Sequence, residues 1–431
     1  MNNKWFKKIS KYLVLLFAIL LIPQALNIQS ELSMRTIISA VAVDLVEDKY
    51  LVTVQVVKPS SSVEGGKTEL DFISASATTL AEAMDEANIA LGRTAGLAHI
   101  GTIIIGKEVV EKDMLLPSLD YFLREKGIQN SAMLLISEGK AKDTLESTKK
   151  LQLSSAVGLP KVFLYKQNNT NGVMMQLQNF MNDYMAVSHC SVISGVEILE
   201  KDEAEKQEGN QSGPGGGDSG SSGGSSGGGG TASGGSSGGS SSGGGEKDGR
   251  IKYANNIYVF ENGKLEVELK DEDAINGVYL INRNSKEGLI SVENINNEYF
   301  SDAKVSVYFR DKRVKIKTDW SGDRPKCIFT IITNRNEVYA VETNEVKSKM
   351  YETDKLYLTP DVIKAVEDKI RSDIFKAYEQ CQDKGVDIFQ CGNRLYQRDV
   401  KKWKEFIATY GEEDYIKNVD IEVDVKFRKQ I

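Results

Sequence analysis

Few residues of this chain have the chemistry of a nucleophile, a general base or a metal ligand. Histidine occurs only twice, as His99 and His189. His189 adjoins Cys190, which invites a thiol–imidazole reading. Neighbours on a strand point to opposite faces, so the two do not form a dyad by themselves. His99 opens an apolar run read as a strand over 99–105, where a core or capping role outweighs a catalytic one. The other cysteines are Cys327, Cys381 and Cys391; no C-x-x-C pair exists, so a zinc ribbon is excluded. Cys381 and Cys391 lie across an expected turn and could pair, but free buried thiols are the plainer reading.

Gly66-Lys67-Thr68 has the closing residues of a phosphate loop. That motif needs a glycine five positions earlier, where Ser61 stands, and a helix afterwards, where a strand is expected. A hairpin loop tip fits better. Acids cluster at Asp271-Glu272-Asp273 and Glu412-Glu413-Asp414. Glycoside-hydrolase chemistry needs two acids facing across a cleft, whereas contiguous acids suit solvated loops. Methionines near 173–185 could form an adaptable partner surface, though at helical spacing they more often pack a core. No catalytic, cofactor-binding or metal-ligating residue is assigned, no cofactor is expected, and the chain does not read as an enzyme.

The elements that carry these residues alternate in the first half. Residues 36–44, 50–57 and 69–76 read as strands. A helix follows over 80–91, with Thr79 and Glu82 spaced as a capping box and Gly92 as its stop. The pattern continues with a helix at 116–125, a strand at 131–137 and a helix at 140–148. A methionine-rich helix near 171–185 has Val173, Leu177, Phe180, Met181 and Tyr184 on one face. A closing strand at 187–199 puts His189 and Cys190 on one element.

In the second half, strands fit 256–261, 264–269, 304–310, 313–318, 327–333 and 338–342. Arg310-Asp311-Lys312-Arg313 reads as the turn of a hairpin. Thr359 and Pro360 start a long helix. Its apolar stripe is Ile363, Val366, Ile370, Ile374, Ala377 and Cys381. A second helix spans about 399–409. Val419, Ile421, Val423, Val425 and Phe427 alternate with polar residues as a last strand.

Of the 431 residues, 54 are basic and 61 acidic, giving a net charge of −7. Such an acidic balance argues against nucleic acid, which demands basic patches. Half of the 38 glycines lie in the Gly/Ser run 209–245. A run of this kind buries no apolar area and is expected to be disordered. It could link two domains or form a loop on one of them. At the start, Lys4, Lys7, Lys8 and Lys11 precede an apolar run from Leu13 to Ile22. This is the plan of an export signal, with the rest of the chain exported. We read it as a retained anchor, with residues 12–26 as the membrane tether. Cleavage and a buried helix are the alternatives.

Two stretches resemble the Ger(x)C family, the C subunits of bacterial spore germinant receptors. The first covers 31–145: Glu31-Leu32, then Val41-Ala42-Val43-Asp44, then Val54-Gln55-Val56-Val57-Lys58-Pro59. The helix at 79–91, His99-Ile100, Arg124 and Ala141 to Leu145 follow in order. The second covers about 355–427. It contains Asp387-Ile388-Phe389-Gln390-Cys391-Gly392-Asn393-Arg394-Leu395, similar to the family's D-x-F-x-x-G segment, then Trp403 and the strand 419–427. The family's lipidated cysteine has no counterpart, since Leu26 stands at that position.

The resemblance implies a non-catalytic subunit on the outer face of the spore inner membrane, acting in nutrient-triggered germination. Its implied partners are an integral-membrane A-type subunit and a permease-like B-type subunit. An exported solute-binding or sensor protein of another membrane complex is the alternative. The expected architecture is α+β and multidomain, with mixed sheets and packed helices, an N-terminal membrane anchor and a disordered Gly/Ser insert. The expected divisions are an anchor at 1–30, a domain at 31–200, a linker at 201–250 and a region at 251–431, the last divisible into 251–345 and 346–431.

Overall fold

The computed structural model describes residues 35–58, 69–92, 94–125, 127–148, 173–199, 250–343, 345–346 and 358–428. The expected anchor, Gly66-Lys67-Thr68 and the Gly/Ser run lie outside these residues. Among the described residues, no helix is long and apolar enough to cross a membrane.

The first sheet is built from β1 (Arg35–Val46), β2 (Lys49–Lys58), β3 (Glu69–Ala77), β4 (Thr94–Gly96), β5 (Thr102–Gly106), β6 (Met133–Ser137), β7 (Met175–Gln176), β8 (Cys190–Leu199), β9 (Arg250–Glu261) and β10 (Lys264–Leu269). Its order is β10-β9-β8-β6-β5-β1-β2-β3, with β4 beside β1 and β7 beside β6. Strands β1, β5, β6 and β8 run parallel, while β2–β3 and β9–β10 close the two flanks antiparallel. Parallel strands are covered on both faces, and β5 and β6 are buried at every position.

Alternation sorts the strand side chains into two cores. Val41, Val43, Ile103, Ile105, Leu134 and Ile136 face one side, together with helices α1 (Leu80–Leu91), α2 (Lys107–Glu111) and α3 (Leu115–Arg124). Ala40, Ala42, Ile104, Met133 and Leu135 face the other, under α4 (Ala141–Ser147). Helix α1 begins with the expected box: the Thr79 side chain accepts from the Glu82 N–H, and Glu82 reaches back to the Thr79 N–H. Gly92 ends it in the left-handed region, at φ 61°.

Strands β8 and β9 are antiparallel neighbours whose register runs to Leu199↔Arg250. The expected boundary at 251 therefore falls inside a sheet, and the first sheet takes its last two strands from beyond the Gly/Ser run. The reason is local. β9 is apolar enough, through Ile257, Val259 and Phe260, to be buried beside β8.

The rest of the chain contains α6 (Glu272–Ile281), β11 (Gly288–Ile295), β12 (Phe300–Ser301), β13 (Ala303–Arg310), β14 (Arg313–Asp319), β15 (Lys326–Thr333), β16 (Arg335–Glu342), β17 (Glu345–Val346), α7 (Pro360–Gln382), α8 (Cys391–Arg398), α9 (Val400–Tyr410) and β18 (Asp420–Phe427). The sheets are β11-β13-β16, β12-β17 and β14-β15-β18. The pairing of β15 with β18 joins residues 326–333 to 420–427. Segments 251–345 and 346–431 thus share a sheet. Helix α7 starts as expected, with the Thr359 hydroxyl accepting from the Val362 N–H and Pro360 in the first turn. Of its expected stripe, Val366, Ile370, Ile374, Ala377 and Cys381 are buried and Ile363 is half-buried, and that core extends to Cys190, Ile257 and Val259 of the first sheet. Gly277 on α6 lets the helix backbones touch, since a Cβ there would strike the Asp373 carbonyl.

Several elements differ from expectation. Residues 310–313 do not turn a hairpin, because β13 and β14 belong to different sheets. Lys312 is buried, and its Nζ donates to the carbonyls of Tyr279 (2.8 Å), Leu280 (2.8 Å) and Asn282 (3.1 Å). It satisfies the open carbonyl end of α6. The methionine-rich helix is shorter than 171–185: β7 precedes α5 (Leu177–Tyr184), so Val173 lies outside the helix. His99 sits in a 3₁₀ turn at 97–99 ahead of β5, not within a strand. The α+β class holds.

Candidate functional site

The residues named from sequence do not converge. His99 and His189 are both exposed. His189 has φ 47° and precedes β8, with its Nδ1 2.9 Å from the Tyr184 carbonyl oxygen. Cys190 is buried beside it, and burial pushes its thiol pKa well up, which disfavours a thiolate. All four cysteines are free and buried, so Cys381 and Cys391 do not pair. Asp271 is the N-cap of α6, accepting from the N–H of Asp273 and Ala274, so its cluster starts a helix where a loop was expected. Glu412, Glu413 and Asp414 are exposed. Among the described residues, no group of His, Cys, Asp and Glu could hold a metal ion.

Three polar features arise instead where elements meet. The first lies at the carboxyl ends of the parallel strands, the edge where open α/β sheets usually bind ligands. Lys107 follows β5 and Glu138 follows β6. Lys107 Nζ is 3.1 Å from Glu138 Oε2 and 3.1 Å from Glu268 Oε1. Asn256 Nδ2 donates to Glu138 Oε1 at 2.6 Å and to Glu268 Oε1 at 2.7 Å. The Tyr258 hydroxyl donates to Glu138 Oε1 at 2.6 Å. Burial lowers the Lys107 pKa, but the two carboxylates outweigh it and the net shift is upward. Burial and Glu138 push the Tyr258 phenol far up. Gly195 leaves the space this network fills, since a Cβ there would lie 3.1 Å from Glu138 Oε1. Every charged group is answered within the cluster, which ties β5 and β6 to β9 and β10.

The second feature is two separate buried aspartates, each in a segment that carries the family resemblance. Asp44, at the end of β1, accepts from the N–H of Ala141 (2.6 Å) and Lys142 (2.8 Å) at the start of α4. Asp387 accepts from the N–H of Cys391 (2.8 Å) and Gly392 (2.7 Å) at the start of α8, and from the Tyr415 hydroxyl (2.8 Å). Each supplies the acceptor that a helix N-terminus lacks. Burial raises both pKa values, and the hydrogen bonds oppose it. Gly106 and Gly392 make room, with Gly106 against the Asp44 carboxyl and Gly392 against the Tyr415 ring.

The third is a cleft of about 930 Å³ between α6, β11 and α7. Lys369 bridges Asp273 (2.5 Å) and Asp373 (2.8 Å), and Lys376 bridges Asp271 (2.8 Å) and Asp273 (3.2 Å). Burial pushes the Asp373 carboxyl up to about 6 against the pull of Lys369. Lys369 has two carboxylates, and they outweigh its own burial to raise its pKa. The i,i+4 spacing of Lys369 and Asp373 was visible in the sequence. Lys107, Glu138, Asn256 and Glu268 carry no local signal, because four separate segments bring them together.

The fold and these features define an α+β scaffold in which buried charges clamp distant segments. Two family models match it: the spore germination protein N-terminal domain over residues 29–198, and the spore germination B3/GerAC-like C-terminal domain over residues 255–428. The chain belongs to the Ger(x)C family of spore germinant receptor C subunits. A Bacillus subtilis (strain 168) protein, YfkR, described as a candidate spore germination protein, is 31% identical over 121 residues. That stretch covers 26% of this chain and 31% of YfkR. The crystal structure of the GerBC protein is similar with a TM-score of 0.47 and 14% identity, over 90% of this chain and 96% of that one.

Proposed function

We propose that the chain is a non-catalytic, membrane-tethered subunit of a spore germinant receptor, acting in nutrient-triggered germination. It works on the outer face of the spore inner membrane with integral-membrane A-type and permease-like B-type subunits, held there by residues 12–26. The observation that carries this reading is the paired family match on either side of the Gly/Ser run. The motif aspartates Asp44 and Asp387 are consistent with it, since both clamp helices rather than face an open site. The direct test is deletion of the gene in its spore-forming host. Loss or slowing of the response to at least one nutrient is expected, with restoration by the intact gene but not by one lacking residues 12–26. An unchanged response across a broad nutrient panel would overturn the reading.

A further inference from the structure

Although the chain is acidic overall, one groove is lined by five cations and only three carboxylates, Asp183, Asp319 and Asp399. It consists of three adjoining hollows of about 350, 540 and 390 Å³. The first and second share Ile316 and Arg394, and the second and third share Thr318 and Arg398. Along it stand Arg283, Lys317, Arg394, Arg398 and Lys402. None of these five forms an ion pair among the described residues, whereas Lys107, Lys369 and Lys376 elsewhere are each held by two carboxylates. The Arg394 Nε is buried and has no hydrogen-bond partner among the described residues. Burial, and after it the nearby Arg283, disfavour its charge.

The three acids of the groove each have a hydrogen-bond partner that is not one of its cationic head groups. Asp183 is bonded to Gln390. Asp319 accepts from the N–H and hydroxyl of Ser321. Asp399 caps α9 through the N–H of Lys401 and Lys402. Arg394 and Arg398 lie four residues apart on α8, about 6 Å along the axis, and Lys402 follows on α9. Alternate side chains of an extended peptide lie about 7 Å apart, a spacing that such a row can follow. A guanidinium fork suits carboxylates in particular.

We propose that this groove, between β14 and the α8–α9 helices, binds an extended acidic segment of a partner polypeptide. Glutamate or aspartate carboxylates lie on Arg394, Arg398 and Lys402. The site is separate from the cleft of α6 and α7, and the inference goes beyond the receptor assignment without depending on it.

The test is fluorescence anisotropy of a labelled peptide alternating glutamate and serine, titrated with the full-length chain. A peptide of about ten residues spans roughly 33 Å when extended. Saturable binding is expected, weakening on going from about 50 to about 300 mM salt. Arg394→Gln with Arg398→Gln should weaken it about tenfold or more. Lys264→Gln with Lys364→Gln, which remove two exposed charges outside the groove, should leave it unchanged. If the arginine pair disturbs folding, Lys317→Gln with Lys402→Gln replaces it, since both side chains are exposed. Equal weakening by the control pair, or no saturable binding, overturns the proposal. So does displacement of the peptide by free glutamate or inorganic phosphate at matching concentration, which would mark a small-anion site.

Discussion

Leu199 and Arg250 are direct cross-strand partners at the end of the β8–β9 ladder, although residues 200–249 lie between them in sequence. The whole intervening segment, with its Gly/Ser run, therefore leaves and re-enters one hairpin. Replacing residues 201–248 by a short turn should preserve the fold. Shortening the loop removes closure entropy of about 2 kcal/mol at most, so the thermal midpoint should stay level or rise slightly. Circular dichroism and thermal unfolding check this, and a collapsed melt would show that the segment is needed for folding.

The Lys369–Asp373 pair should give stability a pH signature. The Asp373 carboxyl titrates at about 6 when folded and near 3.8 as a free side chain. The folded state holds its proton more tightly, so this group's contribution is full below 3.8 and is lost as pH rises through about 6. Asp373→Asn should flatten the stability profile between those values. Lys369→Met, which strands a buried carboxylate, should destabilise by about 3–5 kcal/mol at pH 7 and by less at pH 5. Denaturant unfolding at the two pH values distinguishes them.

Asp387 is the acceptor for two backbone N–H groups and the Tyr415 hydroxyl. Asp387→Ala leaves three buried donors without a partner and should cost about 3 kcal/mol or more. Tyr415→Phe removes one neutral hydroxyl and should cost about 1 kcal/mol. Chemical denaturation of both variants checks the order; a larger loss for Tyr415→Phe would refute the clamp.

Lys312 holds the end of α6 through its Nζ and lies 4.9 Å from the Tyr279 ring centroid. Lys312→Met keeps the stem but frees buried carbonyls, each worth about 1–3 kcal/mol when left unpaired. The variant should unfold at markedly lower denaturant, and amide exchange should accelerate first in 272–282.

Sequence alone determined the elements whose signals are local. The capping box of Thr79 and Glu82, the Thr359-Pro360 helix start, the alternation of β18 and the four apolar residues 133–136 of β6 each lie within one short window. It also supplied the family, through segments that retain their order. Helix α6 escaped because its start was taken for a solvated acidic loop; Asp271 caps it. Tertiary structure decided what depends on contacts distant in sequence. Lys312 read as a turn residue because nothing nearby shows that the carbonyls of Tyr279, Leu280 and Asn282 await it. The Gly/Ser run read equally as linker or loop, since composition sets flexibility and not where the two ends lie. Only the β8–β9 register places those ends side by side, because strand pairing is a relation between segments that neither contains alone.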